Sequence, residues 1–276
     1  MNVLKNILIL TIFPLGTAGI SAQIGDLEGE IKNVIHDKKA TIGVSIIANN
    51  YQDTININEN LHYPMLSVFK FPIAMAVLAE VDKGKFSLNQ KIKITTKDLL
   101  PNTTSPIRDK FPNGTEMPLG DIIKYTVSQS DNNGCDILLR LIGGTKVIEK
   151  FLLKNQLTDI SIKANEEKMH KSWDVQYKNW ATPISLNHLL TEFYNNKTLS
   201  KESHEFLWKI MVETSTGPNR LKGQLPKNIV IAHKTGTSFT NDEGVTAATN
   251  DIGIIVLPNG NPVFISVLVS DSSENE

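Results

Sequence analysis

Strand-forming sequence sits at both ends of this chain and helical sequence fills its middle, an order that limits the fold more than any single motif does. Residues 41–48 and 52–58 read as two strands joined by Asn49-Asn50-Tyr51, a hairpin. Ile229 to His233, Ala247 to Leu257 and Pro262 to Val269 return to strand character, with Pro258-Asn259-Gly260 as the last turn. Between them, from Leu66 to about Met211, the pattern is mostly helical and broken by loops rich in Pro, Asn and Gly. Strands from opposite ends can share a face only if the termini build one sheet and the helices are inserted into it. That predicts an α+β fold, with residues 23–62 and 213–276 forming an α/β domain and 63–212 a helical one. Ile24, Leu27, Ile31 and Val34 predict an amphipathic helix ending near Lys39. The chain stops on a polar run, Ser270 to Glu276, which leaves one side of the expected sheet without a cover.

The first 22 residues read as a secretory signal: Lys5, an apolar run from Ile7 to Pro14, then small residues from Gly16 to Ala22. Cleavage is expected after Ala22, with Ala18 the alternative. The run is too short to span a bilayer. The single cysteine, Cys135, cannot form an internal disulfide and is expected to fill space as a small hydrophobe. These features predict a free monomer, secreted to the periplasm or beyond, with no membrane anchor. A net charge of −1 offers no basic stripe for nucleic acid, so the ligand is a small molecule.

Three short motifs occur in order: Ser67-Val68-Phe69-Lys70, Ser130-Asp131-Asn132 and Lys234-Thr235-Gly236. Serine needs a base within hydrogen-bond reach to act as a nucleophile, and Ser67 and Lys70 are one helical turn apart. Phe69, Ile73, Val77 and Leu78 form an apolar stripe, Pro72 fits only a first turn, and Gly84 can end the helix. Ser67 is thus expected at a helix N-terminus, where the dipole favours negative charge. Ser130 supplies a second hydroxyl and Asn132 an amide, although such a triplet also suits a turn or helix cap. Lys234 follows the apolar stretch Ile229 to Ala232, so its cation sits on or just after a strand. An SxxK alone is expected about once by chance in this length and each triplet in roughly one chain in twenty; their ordered co-occurrence is far rarer. Together they describe equipment for opening a small, strained, anionic amide through an acyl-enzyme. The six histidines (His36, His62, His170, His188, His204, His233) show no metal-ligand spacing, and the GxSxG, HExxH, GxGxxG and P-loop patterns are missing. No metal or organic cofactor is implied, and His233 on an apolar strand reads as a satisfied core residue.

The motif trio is the signature of class A β-lactamases and penicillin-binding proteins, and residues 24–270 resemble the class A serine β-lactamases. Within that class, LPNTTSPI, SIKANEEKMHKSWDVQYKNWATP and TGPNRLKGQLPKNIVIAHKTGTS are similar to the PER- and VEB-type extended-spectrum subgroup. The resemblance implies the β-lactamase/transpeptidase-like fold, an antiparallel five-stranded sheet flanked by helices plus an inserted all-helical domain. It implies Ser67 as nucleophile, Lys70 as its activating partner and Ser130 as proton donor to the leaving nitrogen. Asn132 would hold the acylamide side chain; Lys234, Thr235, Thr237 and Ser238 would bind the substrate, with the N–H groups of Ser67 and Thr237 as oxyanion hole. Glu166 would activate the deacylating water, with the adjacent Glu167 as the alternative, and His170 would hold the same water. Whether Lys70 or Glu166 takes the first proton stays open.

Several positions depart from the class A pattern. Ala164 and Asn179 stand where an Arg–Asp pair usually closes the loop, so its neck must be held otherwise, and a wider loop would admit bulky oxyimino-cephalosporin side chains. Arg220 is expected to supply the second cation for the substrate carboxylate. Thr104 replaces an aromatic residue lining the site, and the family's long C-terminal helix is missing. The implied activity is hydrolysis of cephalosporins and penicillins. The alternatives are a peptidoglycan DD-peptidase, which shares the three motifs but not the deacylating Glu166, and a β-lactam sensor domain, which is acylated and stays so.

Overall fold

The computed structural model of the protein describes residues 20–48 and 50–274. Residues 1–19 of the expected leader, Asn49 of the expected hairpin turn and residues 275–276 lie outside the described residues. The chain enters with helix α1 (Ile20–Ile35), then strands β1 (Thr41–Ala48) and β2 (Asp53–Ile57). The short strand β3 (Tyr63–Pro64) leads to a 3-10 turn, Leu66–Phe69, that runs straight into helix α2 (Lys70–Asp82). Strand β4 (Lys91–Ile94), helix α3 (Pro106–Lys110) and strand β5 (Thr115–Pro118) precede helices α4 (Leu119–Ser128), α5 (Asn132–Ile142) and α6 (Thr145–Lys154). A loop follows, carrying β6 (Ile160–Ser161), α7 (Glu166–Lys171) and β7 (Trp180–Ala181). Helices α8 (Pro183–Tyr194) and α9 (Lys201–Val212) then return the chain to strands β8 (Val230–Thr237), β9 (Thr246–Val256) and β10 (Pro262–Ser272).

The large sheet has the order β2-β1-β10-β9-β8 and every pairing in it is antiparallel. Its two halves meet where Thr41 opposes Ser270 and Ile47 opposes Phe264. This is the expected five-stranded α+β arrangement, and it leaves β8 as an edge strand. One apolar core lies between sheet and helices, where Phe264, Ile254 and Ile252 meet α2 and its neighbours. The opposite face carries a second core. Ile31 of α1 and Leu221 pack there with Ile42, Val44 and Val267, so the face that the sequence left uncovered is buried among the described residues.

Helix α2 corrects a second expectation. Every residue from Lys70 to Ala79 is buried, so the helix is enclosed on all sides and not laid down along one stripe. A run this apolar all round belongs in the middle of a protein. The small ladders β4–β5 and β3–β7–β6 were not legible, because strands of two to four residues carry no usable period.

Gly43 of β1 lets α8 and β3 close on the sheet. A Cβ there would lie 2.6 Å from the Tyr63 ring and 2.7 Å from Pro183 Cγ. Gly43→Ala is expected to cost about 1–3 kcal/mol through overpacking. A lower urea midpoint at unchanged slope is the signature to measure.

Candidate active site

The three motifs converge around two lysines whose side chains are fully buried. Ser67 lies inside the 3-10 turn, and α2 begins only at Lys70; the expected helix start is thus one turn later than the serine. Lys70 Nζ donates to Ser67 Oγ at 2.8 Å, to the Ser130 carbonyl at 2.8 Å and to Asn132 Oδ1 at 2.5 Å. Glu166 Oε1 is also 2.8 Å away. An ammonium has three protons and no lone pair, so four oxygens compete for three N–H bonds. That crowding makes proton exchange between neighbours inexpensive in distance.

Ser130 joins α4 to α5 with φ +59°, a left-handed conformation that few non-glycine residues adopt. The fully buried Asp131 behind it fixes that turn. Its carboxylate accepts the Gly134 N–H as α5's cap and the Ile107 N–H, both at 2.7 Å, together with Ser105 Oγ. Lys234, on β8, completes the group: its Nζ donates to Ser130 Oγ and to the Thr235 carbonyl, each at 3.0 Å. Burial, and then the charge of Lys70, push the Lys234 ammonium well below its usual value; an incoming carboxylate would reverse that shift.

On the far side of β8, Thr235 Oγ1 lies 2.6 Å from Thr216 Oγ1. The buried Arg220 donates to Thr237 Oγ1 at 2.9 Å. The Ser238 N–H donates to Ala248 O at 2.9 Å, into the sheet. By strand alternation, the Thr237 N–H points off the open edge, toward the cleft. Gly236 is required by close approach, since a Cβ there would overlap the Met65 carbonyl that leads into the serine turn.

The two adjacent glutamates separate cleanly. Glu166 turns inward to Lys70, whereas Glu167 pairs with Lys171 at 2.6 Å on the surface. The loop's neck is clasped by Asn179, whose Oδ1 accepts the N–H groups of Lys163 and Ala164 at 2.8 and 2.9 Å. Its Nδ2 returns to the Ala164 carbonyl at 2.9 Å. His170 makes no hydrogen bond to Glu166; it is exposed and its ring lies edge-on to Phe239, centroids 6.4 Å apart. Thr104 is also exposed. Its carbonyl accepts the Asn132 N–H at 3.0 Å, and the hydroxyl that meets Asn132 Nδ2 is that of Thr103, at 2.6 Å. Among the described residues no group of His, Cys, Asp or Glu could hold a metal ion, and no helix is long and apolar enough to cross a membrane.

Known proteins resemble this chain over most of its length. Residues 26–276 match the family described as "Beta-lactamase enzyme family". Beta-lactamase VEB-1 of Pseudomonas aeruginosa is 58% identical, over 99% of this chain and 92% of that protein. Extended-spectrum beta-lactamase PER-1 of the same organism is 42% identical, over 92% of this chain and 83% of its own. The crystal structure of TLA-3 extended-spectrum beta-lactamase superposes with a TM-score of 0.89 at 52% identity, covering 91% of this chain and 92% of that one. The chain belongs to the class A β-lactamases.

In this β-lactamase one residue that matters to the loop belongs to none of the motifs. Asp136, on α5, accepts the N–H groups of Glu166 and Glu167 at 2.8 and 3.0 Å and Asn165 Nδ2 at 2.9 Å. Only the helical offset from Asn132 to Asp136, one turn along the same face, could have pointed to it. Desolvation pushes its carboxyl up to about 6, against the pull of the two backbone N–H groups. A carboxyl titrating near 6, well above the roughly 4 of an exposed aspartate, is expected in a carbon-detected NMR titration. The sign for stability follows: the folded state binds this proton more tightly than the unfolded chain, so stability falls as pH rises from about 4 to about 6. In Asp136→Asn that slope is absent, and the amide's own N–H facing backbone donors costs about 1–3 kcal/mol.

Proposed function

We propose that this class A enzyme hydrolyses cephalosporins and penicillins through an acyl-enzyme on Ser67, with Glu166 as the deacylating base. The β-lactam carboxylate docks on Lys234, Thr235, Thr237 and Arg220, with Ser238 at the strand's end, and Asn132 holds the acylamide group. Ser67 Oγ loses its proton to Lys70, which has first handed one of its own to Glu166 across their 2.8 Å contact, or directly to Glu166, and attacks the lactam carbonyl. The resulting oxyanion is held by the N–H groups of Ser67 and Thr237, an arrangement of the kind often worth several kcal/mol of barrier. The C–N bond then breaks, Ser130, bonded to Lys234, gives its proton to the leaving nitrogen, and the proton taken from Ser67 returns to Ser130 through Lys70, which leaves Glu166 ionised again. Glu166 finally takes a proton from water, whose oxygen attacks the ester; as the ester C–O bond breaks, that proton passes to Ser67 Oγ and the serine is freed.

The observation that carries this reading is the inward Glu166 carboxylate, 2.8 Å from Lys70 Nζ. It supports a hydrolase over a DD-peptidase or a sensor that would stay acylated. An oxyimino-cephalosporin preference is supported by the names of PER-1 and TLA-3 and by a loop neck closed by Asn179 in place of an ion pair. The sheet-bearing residues 23–62 and 213–276 and the helical residues 63–212 would act as two domains flanking the cleft. Residues 1–22 would direct the protein to the periplasm, where it would work as a monomer. His170 and Thr104 would contribute at the rim.

With a chromogenic cephalosporin, the protein is expected to turn over continuously. Glu166→Ala should give one stoichiometric burst and a mass increase of one opened lactam that persists for hours. Unchanged steady-state turnover in that variant would remove Glu166 from the mechanism.

A further inference from the structure

Asn250, near the middle of β9, is fully buried, yet its side chain serves another part of the molecule. Pairing of β9 with β10 runs to Asp251 opposite Val267 and resumes at Ala248 opposite Ser270, skipping Leu268 and Val269. In the gap, Asn250 Oδ1 accepts the Val269 N–H at 3.1 Å. Its Nδ2 donates to the carbonyls of Pro64 at 2.8 Å and Met65 at 3.2 Å. Both amide protons and the amide oxygen are therefore engaged, as a buried amide requires. Its main-chain carbonyl accepts Arg220 Nη1 at 3.0 Å.

The backbone it grips is strained. Leu66, between Met65 and Ser67, has φ +45°, a left-handed conformation costly for leucine. Such a turn persists only when its surroundings over-determine it. The Met65 carbonyl also accepts the Val68 N–H at 3.2 Å, and the Met65 N–H donates to Asn179 O at 2.8 Å. The Asn250 amide is thus the point at which the sheet holds the segment that aims the Ser67 N–H. Through Arg220, bonded to Thr237 Oγ1 at 2.9 Å, the same residue also references the other half of the proposed oxyanion hole.

We infer that Asn250 is a positioning residue for acyl transfer: it keeps the N–H groups of Ser67 and Thr237 aimed at one point. The inference rests on the reading of Ser67 as nucleophile. Asn250→Ala and Asn250→Asp, in the full chain, test it; the second keeps the shape but sets oxygens against two carbonyls. Both kcat/KM for a cephalosporin and affinity for a boronic acid, which mimics the tetrahedral intermediate on Ser67, are expected to fall roughly tenfold or more, the scale of a weakened oxyanion donor. Affinity for the hydrolysed product should change less than threefold. In a Glu166→Ala background, the acyl carbonyl infrared band should move to higher wavenumber.

A residue that is merely structural would lower the melting temperature and leave the band and the boronate-to-product affinity ratio unchanged; that result overturns the inference. If both variants fail to fold, the unmutated protein decides: boronic acid binding should shift the Asn250 side-chain amide resonances, and no shift overturns the assignment. A Ser67→Ala control separates the layers. If it still forms an adduct, the nucleophile reading fails; if it is inert while the Asn250 variants keep the band, only the role of Asn250 falls.

Discussion

Two ammonium groups are held out of water in one cleft, and the rest of the site follows from keeping them there. Lys70 and Lys234 are both fully buried, and burying a charge without partners is among the most costly things a protein can do. The fold meets this with oxygens from three separate pieces of chain. Ser67 comes from the turn before α2, Ser130 and Asn132 from the start of α5, and Glu166 from the loop between β6 and β7. Remove the segment at the start of α5 and two of the four acceptors go, leaving an ammonium proton of Lys70 without a partner in an apolar setting. On the proposed mechanism the same oxygens are the groups that acyl transfer needs, so the electrostatic requirement of folding and the chemical requirement of catalysis would select one arrangement.

The loop that carries Glu166 shows how a local substitution of interaction type can preserve that arrangement. At Ala164 and Asn179 no ion pair is available, and the neck closes instead by amide-to-backbone hydrogen bonds from the buried Asn179. Asp136 then takes the first N–H groups of α7 from below. The loop is fastened to α5 and to itself, while its outer side, with Glu167, Lys171 and His170, remains in solvent. Placing the one inward carboxylate beside Lys70 depends on this asymmetry: acceptors beneath, solvent above.

What the sequence reveals and what it hides divide along a physical line. Strands of five residues or more have a period, and β1, β2, β8, β9 and β10 fall within a few residues of where alternation puts them. The motif residues are legible because their chemistry is unusual in combination. Asn250, Asp136 and Thr103 are hidden for the opposite reason. Each is an ordinary polar residue whose meaning comes from a partner far away in the chain, 185 residues away in the Asn250–Met65 contact. The separation of Glu166 from Glu167 was equally unreadable, since one step along α7 decides whether a carboxylate meets Lys70 or Lys171. The cover over the sheet's outer face was half legible: the stripe of α1 was visible, but not that it would pack on Ile42 and Val44.

The position of β8 at the sheet's edge turns a liability into the binding surface proposed for the substrate. An edge strand exposes unpaired N–H and C=O groups that invite another strand. Here the outward N–H of Thr237 faces the serine turn instead of solvent alone, because Gly236 lets that turn come into contact with the strand. Asn250 holds the turn from the neighbouring strand, and Arg220 spans both strands through the carbonyls of Gly236 and Asn250. A donor fixed in this way needs no reorganisation when charge develops on a substrate oxygen, which is the condition under which such donors lower a barrier most. The geometry proposed for catalysis is therefore a property of the sheet as much as of the motif residues.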